Sequence, residues 1–335
     1  MSLRDAFTST GVQPQSGIRR GFQTYPLSVR ELVRVARLPS PNLTALEPDD
    51  PDAFHSFREN EAQGIVFAGG TRWFLSSRYR MFRYRMIGSD PFRPTSVTRE
   101  AETSLELVAD RAGLDRDNVD HIGDLAYANG LLFAPLRSLR GPHVIVGLNE
   151  GLRVVAWGEL AQSAADYLCA VHPWNGLLYV MGGGSQSDQL EAYDVALFLA
   201  ARDRSAEWGR RVSLPRNEGA TIRLTKPNGT ADAQGGQGVA FSANGRIYVT
   251  RALEHSVLGR TLHWHNRIYV YSALTGRRFG DGREWDFAGR LDEIEGVSVD
   301  PSGVVYVAVR NKNLFATDDF DLFAFRFTNL TPNSV

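Results

Sequence analysis

The sequence predicts an all-β chain built as a ring of similar four-stranded blades. Three observations lead there. A hairpin phrase recurs five times, at Gly64, Asp124, Cys169, Gly238 and Gly296. Each copy turns on glycine-rich chemistry between two apolar strands. Further alternating segments follow each hairpin and bring the count to four strands per unit. Recurrence of one supersecondary unit at a period of about 45–70 residues marks a radial repeat architecture.

The first strands are Ile65-Val66-Phe67, Leu125-Ala126-Tyr127, Ala170-Val171-His172, Val239-Ala240-Phe241 and Val297-Ser298-Val299. The turns include Asn129-Gly130, Asn244-Gly245 and Pro301-Ser302-Gly303, where glycine accepts the positive φ that twisted hairpins require. The second strands end in an aromatic residue, as in Arg72-Trp73-Phe74, Leu177-Leu178-Tyr179 and Val304-Val305-Tyr306. Third strands are expected near residues 82–86, 143–146, 267–270 and 322–325. More polar fourth strands are expected near 96–98, 153–156, 211–214 and 285–287.

The last unit runs out of chain before a fourth strand. Residues 32–38 have the length and alternation to supply it, which pairs the two ends of the chain and removes two open edges. The count is then five blades, and becomes six only if a weak repeat lies in residues 90–120. That stretch has instead a helical period at Leu105, Val108, Ala109 and Ala112, with Ser104 placed to cap it and Gly113 to end it. Residues 189–204 fit either a third strand or a short helix. Residues 1–21 are expected to be loosely held, and 22–335 to form a single propeller domain.

Composition bounds the function. Net charge is −1 over 335 residues, so no global field draws the chain to nucleic acid or to an anionic surface. Only two of its 37 basic residues are lysine, Lys226 and Lys312. The single cysteine, Cys169, excludes a disulfide framework and sits in a first strand, where an unreactive buried thiol is expected. No apolar run is long enough for a membrane span, and no signal peptide is visible. A cytoplasmic chain is expected, or an exported one whose signal has been removed.

Glu295-Gly296-Val297-Ser298-Val299-Asp300-Pro301-Ser302-Gly303 resembles the blade phrase of the broad propeller superfamily. That group includes NHL-type repeats, the SMP-30/gluconolactonase and paraoxonase-like hydrolases, and strictosidine-synthase-like enzymes. The resemblance implies a propeller and, for the lactonase-like members, a calcium or similar divalent ion held in the central channel by acidic and Asn side chains. Most of those enzymes have six blades, one more than counted here.

In a propeller the entry ends of the first strands converge on one mouth of the central channel. The residues gathered there are Glu61 and Gln63, His121 and Asp124, Asp166 and Tyr167, Gln234 and Gln237, and Glu293 and Glu295. Converging carboxylates at Glu61, Asp124, Glu293 and Glu295 suit a hard cation. They could also raise one another's pKa enough for general acid–base chemistry, with His121, Asp124 and Glu295 as the catalytic candidates. Gln63, Tyr167, Gln234 and Gln237 are candidate ligand-binding groups. The plain alternative is that these groups hydrogen-bond neighbouring loops and channel water.

Other motifs carry less. His255, His263 and His265 are a second metal candidate, for zinc. His172 is expected to be a satisfied core histidine. The arginine–aromatic alternation of residues 78–86 has period two, so it reads as a half-buried strand, with no nucleic acid as partner. Gly-x-Ser-x-Gly and His-Glu-x-x-His are absent. The function expected is binding of a small polar ligand in the funnel, with or without a divalent cation such as calcium. A metal-dependent hydrolase, lactonase or lyase on the same funnel is the first alternative. A protein-interaction scaffold, using the connection 252–262, is the second.

Overall fold

A computed structural model of the chain describes residues 29–38, 62–88, 96–161, 164–182, 187–202, 209–257, 260–280, 283–285, 293–311 and 319–327. They form five small antiparallel sheets in a ring, a five-bladed β-propeller.

Strand β1 (Val29–Leu38) belongs to the last blade. Blade 1 contains β2 (Ala62–Phe67), β3 (Arg72–Ser77), β4 (Arg80–Ile87) and β5 (Ser96–Ser104). Helix α1 (Leu105–Ala112) follows, and it has the expected cap: Ser104 accepts from the Leu107 N–H at 3.2 Å, and Gly113 takes the left-handed conformation at φ 69°. Strand β5, which belongs to blade 1, and α1 thus occupy most of residues 90–120.

Blade 2 starts with an interrupted inner strand, β6 (Val119–Ile122) and β7 (Ala126–Ala128), both paired with β8 (Leu131–Ser138). It continues through β9 (Val144–Asn149) and β10 (Val154–Glu159). Blade 3 contains β11 (Ala164–Val171), β12 (Leu178–Gly182) and β13 (Gln189–Tyr193), after which comes helix α2 (Ala196–Ala201). Residues 189–204 therefore hold both a strand and a helix.

One expected strand belongs elsewhere. The sequence predicts segment 211–214 as the fourth strand of blade 3, but β14 (Arg210–Arg211) adds to β10 as a parallel fifth strand of blade 2. The fourth strand of blade 3 is β15 (Ile222–Arg223). The chain crosses back because Val212 and Leu214 bury against the blade 2–3 seam, and Val212 N–H donates to Trp157 O at 2.8 Å.

Blade 4 comprises β16 (Gly238–Phe241), β17 (Arg246–Val257), β18 (Arg260–Ser272) and β19 (Arg283–Trp285). The connection 252–262 is not an open loop: β17 and β18 stay paired out to Val257↔Arg260, well past the last β16 pair, Gly238↔Thr250. Blade 5 is β20 (Glu293–Val299), β21 (Val305–Asn311) and β22 (Asp319–Phe327), completed by β1. Strand β1 pairs antiparallel with β22 from Val29↔Phe327 to Leu38↔Phe320, the closure expected of residues 32–38.

Five apolar clusters fill the five seams between adjacent blades. Trp73 and Tyr306 meet edge-on at 4.2 Å across the seam between blades 5 and 1. Alternation explains who is buried. In β4, Met81, Phe82, Tyr84 and Met86 are buried, while Arg83 and Arg85 pair outward with Glu100. The arginine–aromatic segment is thus a blade strand.

Candidate functional site

The inner strands of four blades approach one another closely at the level where the hairpin phrases begin. A Cβ added at Gly64 meets Asp124 Cα at 2.5 Å, one at Gly296 meets Gly64 Cα at 2.6 Å, and one at Gly238 meets Gly296 Cα at 2.7 Å. Backbone touches backbone around blades 2, 1, 5 and 4. Only glycine allows that approach, which is why three of the five hairpin phrases begin with it.

Asp124 occupies the corresponding place in blade 2 and is fully buried. Its Oδ1 accepts the backbone N–H of Leu125 at 2.8 Å and of Ile65 at 3.3 Å. Its Oδ2 accepts the N–H of Val239 at 2.9 Å. One side chain therefore ties blades 1, 2 and 4. Blade 3 joins through Cys169, whose Sγ donates to Asp124 O at 3.5 Å. Burial pushes the Asp124 carboxyl upward, against the pull of the three N–H donors. Burial also pushes the Cys169 thiol up, the inert state expected of it.

Above this collar lie the entry residues. Gln63 of blade 1 meets His121 of blade 2, Oε1 to Nε2 at 2.6 Å. Gln237 of blade 4 donates from Nε2 to Glu293 Oε1 of blade 5 at 3.0 Å. Arg310 of β21 stands 3.8 Å from the other Glu293 oxygen. Two blade boundaries thus carry matched polar pairs drawn from the predicted set. Glu295 is buried, and its carbonyl accepts the hydroxyl of Thr250. Gln234 is exposed and accepts from Arg251 at 3.2 Å. Glu61 lies outside the described residues, as do the side chains of Asp166, Tyr167, His255 and His263. The backbone register sets His255 opposite His263.

His121 is 8% exposed, and burial, with Arg78 and Arg137 nearby, lowers its pKa to about 3. The ring is neutral at physiological pH, so its Nε2–H donates to Gln63. His172 is buried among Trp174, Tyr179 and Phe241, accepts the Trp174 N–H at 3.1 Å, and is lowered by burial to about 4. It is the satisfied core histidine that the strand position predicted.

Both histidines must take up a proton when the chain unfolds in acid. Each contributes stability that is complete above its unfolded pKa of about 6.5 and is lost as pH falls towards 3–4. The slope reaches about 1.4 kcal/mol per pH unit for each group in that window. The unfolding temperature should therefore drop between pH 6.5 and 4, and His121→Gln should flatten the profile. A profile unchanged by His121→Gln would show that this ring is not held neutral by the fold.

Among the described residues, no three His, Cys, Asp or Glu side chains gather in a group able to hold a metal. Glu293, the best placed carboxylate, already has Arg310 beside it. A recess of about 400 Å³ lies away from the axis, between α2 and β14, lined by Leu197, Ala200, Ala201, Arg210, Val212 and Ser213. No described helix is long and apolar enough to cross a membrane.

Sequence reasoning missed Arg310 and the collar. The signal for the collar was present, in glycine at the head of Gly64-Ile65, Gly238-Val239 and Gly296-Val297.

Comparison with protein families finds no match, and no curated protein matches either. Among solved structures, the chain is similar to a Staphylococcus aureus phage tail fibre at 13% identity and TM-score 0.47, covering 89% of this chain and 53% of that one. It is similar to a Xanthomonas campestris gluconolactonase at 12% and 0.43, covering 91% and 98%. It is also similar to a Trypanosoma rangeli sialidase at 11% and 0.40, covering 79% and 44%. The chain spans about half the length of the tail fibre and of the sialidase. Such values say nothing of activity; the five-bladed assignment rests on the strand pairing of the chain itself.

Proposed function

We propose that this propeller binds a small, neutral, hydroxyl-rich molecule at the entry mouth above the collar. The observation that supports this most is the pair of cross-blade contacts, Gln63 with His121 and Gln237 with Glu293. Amides, a neutral imidazole and a carboxylate offer donors and acceptors together, which suits hydroxyl groups. The charge balance points the same way. His121 carries no charge, Glu293 is countered by Arg310, and Arg78 and Arg137 beside His121 both face Asp120.

The same facts favour binding over acid–base catalysis. A histidine held at about pKa 3 is a poor base near neutral pH, where proton transfer needs a group poised close to the working pH. Asp124 spends both oxygens on backbone N–H groups. A hydrolase or lactonase using a divalent ion would draw on Glu293, Glu295 and Glu61, and the Glu293–Arg310 contact opposes a cation there. The scaffold reading is favoured by one feature, the β17–β18 ribbon that runs past its sheet.

A thermal-shift screen of neutral sugars and polyols tests the proposal. A true ligand at about 100 times its Kd adds about 2.7 kcal/mol and raises the unfolding temperature by several degrees. Gln237→Ala and His121→Ala should each remove most of that increment. A library without a stabilising member, or a shift that survives both substitutions, would sink the reading.

A further inference from the structure

The recess between α2 and β14 has two walls of unlike chemistry. Helix α2 reads Ala196-Leu197-Phe198-Leu199-Ala200-Ala201 and carries no polar side chain. Phe198 and Ala201 anchor it in the blade 2–3 seam, while Leu197 stays 49% exposed. Leu197, Ala200 and Ala201 stand at i, i+3 and i+4, so one helix face supplies the apolar wall. A lone exposed leucine needs no explanation. This one lines a cavity of about 400 Å³, within the range of small-ligand sites.

The opposite wall is cationic, formed by Arg210, Arg211, Val212 and Ser213. Arg211 is engaged: its Nη2 donates to Glu159 Oε1 at 2.7 Å, and its guanidinium carbon stands 5.3 Å from the Trp157 ring centroid. Arg210 is different. It is exposed, and among the described residues it makes no hydrogen bond, ion pair or ring contact. Helix α2, facing it, offers no acidic side chain. Ser213, also exposed, adds a hydroxyl to the same wall.

An open guanidinium opposite an apolar helix face complements a molecule that has both parts. The planar fork of arginine matches a carboxylate with two parallel N–H groups. An apolar body laid on Leu197 removes that side chain from water. We propose that the recess binds a small carboxylic acid with an aliphatic body, its carboxylate on Arg210 and its chain over Leu197, Ala200 and Ala201. The site shares no residue with the mouth and does not depend on the reading given to it.

Titration calorimetry with octanoate tests this, with 1-octanol as the uncharged counterpart. The intact chain should bind one octanoate saturably and octanol about tenfold more weakly, as loss of a charge-assisted hydrogen bond implies. Arg210→Gln should weaken octanoate about tenfold and leave octanol unchanged. Leu197→Gln should weaken both. Both residues are exposed, so each variant should unfold at the temperature of the parent. Absence of saturable octanoate binding would overturn the proposal. So would octanol binding as tightly as octanoate, or Arg210→Gln binding octanoate like the parent. A dimer in sedimentation that Leu197→Gln dissociates would overturn it as well, because a second copy would then fill the recess.

Discussion

Gly296→Val is expected to prevent the ring from closing. Its new Cβ would stand 2.6 Å from both Gly64 Cα and Ile65 N, and neither is the end of a flexible side chain that can move aside. Overpacking a yielding core costs about 1–3 kcal/mol. Here the obstacle is the blade 1 backbone at Gly64 and Ile65, so the loss should exceed about 3 kcal/mol, a large part of the stability of an ordinary domain. Gly64→Ala and Gly238→Ala should be costly for the same reason. Gly69→Ala is the contrast: its Cβ meets nothing within 4 Å, and only the strain of φ 93° is paid. Chemical denaturation of the four variants checks this. A Gly296→Val protein as stable as its parent would mean that the inner strands stand further apart than described.

Asp124→Ala should rank close behind. It leaves the N–H groups of Ile65, Leu125 and Val239 buried without their acceptor, at about 1–3 kcal/mol each. The three costs together give an expected loss of about 3–9 kcal/mol. Asp124→Asn keeps one acceptor oxygen and should lose markedly less. The two variants are therefore separated by denaturant midpoint, and equal losses would contradict the role assigned to the carboxylate. The pH sign is opposite to that of the histidines. Because burial raises Asp124 above its unfolded value of about 3.9, its contribution is complete below that value and fades as pH rises through the folded one. Asp124→Asn should remove this component and leave the acid-side decline of His121 and His172 in place.

Much of the ring was legible because its signals are local. Asn-Gly turns, alternating strands and the Ser104–Gly113 helix caps each depend on neighbours in sequence, and so does the alternation that marks residues 32–38 as a strand. Strand β14 was misplaced because Arg210–Arg211 pairs with β10, more than fifty residues earlier, and no local pattern records a parallel crossover. The ribbon of β17 and β18 read as a loop because its mixed polar sequence has no clean alternation.

The mouth was legible only in part. Convergence follows from the ring, so Gln63, His121, Gln237 and Glu293 could be named before any contact was seen. What each side chain does there could not. For Asp124 the sequence leaves a cation or acid–base role open beside bonding to neighbouring N–H groups, and the side chain is bound by N–H groups from three blades. Arg310 comes from a second strand, one layer out, where the hairpin alignment does not look.

The central claim is that ligand is taken at the entry mouth, over the glycine collar, and not at the turn face of the disc. Hydrogen–deuterium exchange measured with and without the stabilising member of the sugar and polyol screen tests this most directly. Slowed exchange in peptides containing Gln63, His121, Gln237 and Glu293, with none at the turns Asn129-Gly130 and Asn244-Gly245, is the predicted result. Protection at those turns, with the entry peptides unchanged, would contradict it.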